Sequence, residues 1–183
     1  MKAIILAATA MAMTVASPAS GQVRSYGGSF AQGCYRASAQ PLATLDAVTT
    51  CDRALQRETL SYDDRFAVYV DRGIVKMARD NFFDAQADFS AAVAMSPRRP
   101  EGWLNMAILR LREGNSAAAL PLFDKAIQLR TEVPEIAYYG RGLAYEDVGN
   151  IPAAYADLRH AATLRPGWSE PVRDLARYRL RNQ

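Results

Sequence analysis

Three stretches of this chain carry similar residues at the same intervals, and that recurrence constrains the fold more than any other feature. Counting a unit from Glu135 makes Tyr138 position 4, Gly142 position 8, Tyr145 position 11 and Gly149 position 15. Ala154, Leu158, Ala161 and Pro166 then take positions 20, 24, 27 and 32. A unit begun at Phe66 puts Tyr69, Gly73, Lys76, Asp80, Ala85, Phe89, Ala92 and Pro97 at the same positions. One begun at Pro100 puts Trp103, Ala107, Arg110, Gly114, Ala119, Phe123, Ala126 and Thr131 there. The period is 34 residues between the first two units and 35 between the second and third.

Each unit reads as two amphipathic helices broken at the middle by a turn: ARDNF, REGNS and DVGNI. Asn81, Asn115 and Asn150 stand where a side-chain oxygen caps the second helix of each pair. Small residues at positions 8, 20 and 27 let paired helices approach closely, and bulky residues at 4 and 24 fill the space between them. One pair cannot bury its apolar face alone, so about three must stack. Gly142 is explained as a close-packing position. Gly140-x-Gly142 has no strand-to-helix turn and no phosphate-binding lysine, which leaves no basis for a nucleotide site.

This series of aromatic, small, aromatic, small, bulky, Ala and Pro at this period resembles the tetratricopeptide repeat family. The resemblance implies an all-α fold, a right-handed α-solenoid of antiparallel helix pairs. Residues 66–99, 100–134 and 135–168 form its three units. Residues 28–61 read as a degenerate N-terminal unit, in which Ala47, Cys51 and Ala54 match positions 20, 24 and 27 and Pro41 suits a first helical turn. Ser61 and Asp64 read as a cap opening the first full unit. Residues 169–183 read as a terminal capping helix with Val172, Leu175, Ala176 and Leu180 on one face. Pro121 falls inside the second helix of the middle unit, where it should free the carbonyl of Ala117 and bend the helix slightly.

Comparing units gives a sharper expectation. Positions 7 and 23 hold Arg72 with Asp88 and Arg141 with Asp157, but Met106 with Leu122 in the middle unit. The exchange of a charged pair for an apolar one predicts that the two positions touch across each hairpin. Coincidence is the competing explanation, because arginine and aspartate are common on helices.

Ahead of the repeats, Lys2 followed by the uncharged run AIILAATAMAMTVA and the small residues SPAS has the form of a secretory signal peptide, residues 1–21, cleaved between Ala19 and Gln22. The run is shorter than the roughly 20 apolar residues of a membrane span, so the expectation is a soluble chain, 22–183, exported across the inner membrane to the periplasm. A lipid anchor does not fit, since Cys34 lies well beyond the apolar run and lacks a preceding leucine. In an oxidising compartment Cys34 and Cys51 are expected to pair; two separately buried thiols are the competing reading.

Enzyme chemistry finds little support. His160 is the only histidine and is expected on an outer face, and neither Lys76 nor Lys125 is accompanied by a nucleophile elbow. No cofactor or metal is expected. The net charge of +3 is dispersed among interleaved acids and bases. The exception is Arg173, Arg177 and Arg181, which recur every four residues with no aromatic residues arranged around the stripe to stack on bases, so nucleic acid is not an expected partner and a solvated helix end is the simpler account.

The family resemblance implies a protein or peptide partner held on the concave face, which the first helix of each unit lines. The matching positions 2, 5, 9 and 12 are Ala67, Val70, Ile74 and Met77; Glu101, Leu104, Ile108 and Leu111; and Ile136, Tyr139, Leu143 and Glu146, with Asp147 adjacent. Position 6, which often offers an amide in this family, is Asn105 in the middle unit. Basic residues for gripping a peptide carboxylate are missing from positions 2, 5 and 9 of the three units. The lining suits an apolar helical or extended segment, with a basic residue near Glu146 and Asp147. The alternative is a structural subunit whose groove is filled by its own chain and which assembles through its outer faces, including with copies of itself.

Overall fold

The computed structural model describes residues 29–40 and 44–180. The predicted signal peptide and Pro41 lie outside them. The described residues form nine helices: α1 (Ser29–Ser38), α2 (Leu45–Arg57), α3 (Tyr62–Ala78), α4 (Phe82–Met95), α5 (Pro100–Arg112), α6 (Ser116–Gln128), α7 (Pro134–Asp147), α8 (Ile151–Leu164) and α9 (Ser169–Leu180). Helices α3/α4, α5/α6 and α7/α8 are the three repeat units, each packed as a hairpin and stacked on its neighbours.

The turns explain why each unit breaks where it does. Position 15 has positive φ in all three, at Asp80, Gly114 and Gly149, the left-handed residue that ends a helix. The next residue's N–H then reaches back to the carbonyl of Lys76, Arg110 or Tyr145, at 3.0, 2.9 and 2.8 Å. That residue is Asn81, Asn115 or Asn150, and its side chain accepts from the N–H three residues on, opening the second helix. Ser61 does the same for α3, accepting from Asp64 N at 3.0 Å. Thr44 caps α2, its side chain accepting from Ala47 N–H.

The repeat's small and bulky positions become the core. Ala85, Ala119 and Ala154 at position 20, Phe89, Phe123 and Leu158 at 24, and Ala92, Ala126 and Ala161 at 27 are all 0% exposed. Position 8 is held small by them, since a Cβ on Gly73 would sit 2.4 Å from the Phe89 ring and one on Gly142 would sit 3.1 Å from Leu158. Gly140 extends the rule to the seam between units, where its Cβ would lie 2.4 Å from Phe123. Gly140→Ala is therefore expected to cost about 1–3 kcal/mol by overpacking. Phe123→Leu in the same chain should recover part of that loss in urea unfolding.

Positions 7 and 23 do touch. Arg72 donates from Nε and Nη2 to Asp88 at 3.0 and 2.6 Å, and Arg141 donates likewise to Asp157 at 2.7 and 2.9 Å. Each arginine also holds a third member from the preceding unit: Nη1 reaches Asp52 at 2.7 Å from Arg72 and Asp124 at 2.6 Å from Arg141. Burial opposes the charge on Arg72, but its bonds to Asp88 and Asp52 outweigh that, and its pKa is raised. For Arg141 the bond to Asp157 is the largest influence, and the pKa is again held above the ordinary arginine value. These forks tie α2 to α4 through α3, and α6 to α8 through α7.

The two ends depart from the regular unit. Cys34 and Cys51 form a disulfide that joins α1 to α2. Glu58 accepts from Phe30 N and Ala31 N at 2.8 and 3.1 Å, capping α1, and Ser38 Oγ donates to Asp71 at 2.9 Å to tie α1 onto α3. At the other end α9 lies as the first helix of a fourth unit that has no second helix among the described residues. It turns Pro171, Asp174 and Tyr178 inward and leaves Val172 58% exposed, with Ala176 also outward. This corrects the expected face at Val172 and Ala176, which occupy positions 4 and 8, where a second helix would pack; Leu175 is half-buried against the cluster of Tyr139, Leu158 and Tyr178 as expected. The side chain of Leu180 lies outside the described residues. Pro121 and Ala117 are both exposed, so the carbonyl freed by the proline belongs to a residue on the solvent side.

Candidate functional site

The residues implied as groove-lining divide by exposure. Val70, Ile74 and Met77 are buried in one cluster with Phe66, Phe89 and Leu109, so they act mainly as the seam between the first and second units. Leu104 is buried against Phe123 and Ala107. Tyr139 is 3% exposed and donates from its hydroxyl to Asp174 of α9 at 2.8 Å. Burial first, and then that bond, push its pKa above the ordinary tyrosine value.

Glu101, Asn105, Ile108, Leu111, Leu143 and Glu146 remain half-exposed. The hydrophobic members Ile108, Leu111 and Leu143 come from α5 and α7. Polar groups surround them with most of their bonding already assigned. Glu101 pairs with Arg99 at 2.8 Å, and Asn105 donates its amide to the Glu101 carbonyl at 2.8 Å. Glu146 pairs with Arg177 at 2.7 Å, and Asp147 accepts from Ser116 Oγ at 2.5 Å. Burial beside Glu146 pushes the Tyr178 hydroxyl up to about 12.

A tetratricopeptide repeat profile matches residues 70–134 and 104–167, which together span more than half of the chain. The chain belongs to the tetratricopeptide repeat family. Members of this family bind protein or peptide partners and are typically scaffolds without enzymatic activity.

Solved structures share the fold at low identity. PilW, a widely conserved type IV pilus biogenesis factor, superposes with a TM-score of 0.66 at 23% identity, covering 74% of this chain and 60% of that one. MamA from Desulfovibrio magneticus RS-1 gives 0.65 at 17%, covering 85% and 87%. YrrB, a repeat protein of this family with an unusual peptide-binding site, gives 0.54 at 17%, covering 69% and 62%. This chain thus spans less than two thirds of PilW and of YrrB.

A terminal helix over the groove is the alternative expectation; what the sequence reading missed is that Asp174 and Arg177 are the residues of α9 that reach it. Asp174 and Arg177 engage two expected groove residues, Tyr139 and Glu146, at one end of the concave face. The signal was present in the register. Counting on from Glu135 by 34 makes Ser169 position 1 and sets Asp174 and Arg177 at positions 6 and 9 of a fourth first helix. His160 is exposed, with its ring edge-on to Tyr138 at 4.3 Å, consistent with an outer-surface residue. Among the described residues no helix is long and apolar enough to cross a membrane.

Proposed function

We propose that this protein is a non-enzymatic scaffold of the bacterial cell envelope that holds an apolar helical or extended segment of a partner protein on its concave face. The observation that carries this reading is the half-exposed stripe Ile108, Leu111 and Leu143, contributed by two adjacent first helices and bordered by Glu101, Asn105 and Glu146. A partner segment seated there would cover apolar surface that the fold leaves open, with a basic residue of its own facing Glu146 and Asp147. The Cys34–Cys51 disulfide and the signal-like N-terminus support export to an oxidising compartment.

A second reading has its own support. Val70, Ile74, Met77, Leu104 and Tyr139 are covered by the chain itself, and α9 takes up Tyr139 and Glu146. On that reading the protein is a structural subunit that assembles through its outer faces. Ile108→Glu separates the two. The scaffold reading expects partner co-purification from envelope extracts to fall by on the order of tenfold while helicity by circular dichroism is retained. Undiminished co-purification with the fold intact would favour the subunit reading.

A further inference from the structure

The arginine fork is present at two joints between neighbouring units and absent from the one between them. Asp52–Arg72–Asp88 and Asp124–Arg141–Asp157 each join the second helix of one unit to the second helix of the next. The corresponding residues at the middle joint are Ser90 on α4, Met106 on α5 and Leu122 on α6. Ser90 is exposed and the other two are half-buried. None of these side chains supplies a charged fork. Thioether and aliphatic contacts are adaptable and weakly directional, whereas a bidentate guanidinium–carboxylate pair fixes both distance and angle.

The polar ties that do cross the middle joint sit at the two ends of α5 and lead to α3 or its terminal turn. Arg99, just before α5, reaches Asp63 at 3.3 Å and lies over the Phe66 ring at 3.8 Å. Arg112, at the other end, donates to the Met77 carbonyl and to Asp80, both at 2.7 Å. These contacts pin the first helices α3 and α5 to each other at both ends. Among the described residues the second helices α4 and α6 have no equivalent tie, so the pinned edge forms an axis and the opposite edge is left free to open and close.

We propose that the α4/α5 joint is a hinge, about which the solenoid changes curvature while α1–α4 and α5–α9 each move as one body. Bending there turns the α7 part of the concave face relative to α3, while the pinned α3–α5 edge keeps its spacing and neither fork breaks.

Spin-label distances on the second helices test it. Ala94, Gln128 and Thr163 occupy position 29 of the three units and are all exposed. Cys34 and Cys51 are joined and fully buried, so labels report from the introduced cysteines. The Ala94→Cys/Gln128→Cys pair spans the unforked joint and Gln128→Cys/Thr163→Cys the forked one. The expected result is a distance distribution on the order of twofold broader for the first pair. Equal widths would overturn the hinge.

Transplanting the fork by Ser90→Asp, Met106→Arg and Leu122→Asp should narrow the first pair to the width of the second. If that variant does not fold, the reverse exchange decides: Asp124→Ser, Arg141→Met and Asp157→Leu should broaden the second pair to the width of the first. Widths unmoved in a folded exchange variant would overturn the assignment of stiffness to the fork.

Discussion

Arg141→Met is expected to lower the stability of the folded chain by about 2–3 kcal/mol, read from the urea midpoint at constant slope. The loss arises because Asp157, whose side chain is 11% exposed, keeps its charge with its bidentate partner gone. Asp124 contributes less, since it is 54% exposed and water screens it. Adding Asp157→Leu should return much of the lost stability, because Met106 and Leu122 show that an apolar pair is accepted at these two positions. The double-mutant cycle should therefore give an interaction energy of about 1–3 kcal/mol. Strictly additive effects would mean that the fork contributes nothing beyond its separate residues.

Removing the disulfide is the second large effect. Cys34→Ala with Cys51→Ala opens a loop whose ends are 17 residues apart, and its closure is worth about 3 kcal/mol. The consequence should be local before it is global. Helix α1 has only 10 residues and is held by the disulfide, by Glu58 at its start and by Ser38 near its end. Amide exchange in α1 should accelerate strongly in the variant, while α5 to α8 keep most of their protection. Uniform acceleration throughout the chain would show that the N-terminal unit is not a separable cap.

The three central units were legible because each position does one job. A glycine or alanine at position 8 is there because a bulky side chain at 24 occupies the space beside it, and an asparagine at 16 is there because a helix must restart. The Arg/Asp exchange between units could be read for the same reason. Its third member was harder to see, because Asp52 and Asp124 belong to the preceding units. Comparison within a hairpin does not reach them; comparison across a joint does, since Ser90 replaces the acid where Met106 replaces the arginine.

The ends were less legible. In α9 hydrophobicity alone suggests an inward face of Val172, Leu175 and Ala176, but stacking register keeps only Leu175 of the three packed and turns Asp174 inward to meet Tyr139. Position in the family's groove also proved a weaker guide to access than to placement. Val70, Ile74 and Met77 stand at groove positions, yet α5 packs over them through Leu109; Leu104 and Tyr139 are buried as well, while Ile108, Leu111 and Leu143 stay half-exposed.

The reading of the concave face as a partner site is tested most directly by in-cell photocrosslinking, with one probe at Ile108 and a matched probe at His160. The account predicts a specific partner captured from Ile108 and none from His160. A product from His160 with none from Ile108 would contradict it and place the function on the outer surface.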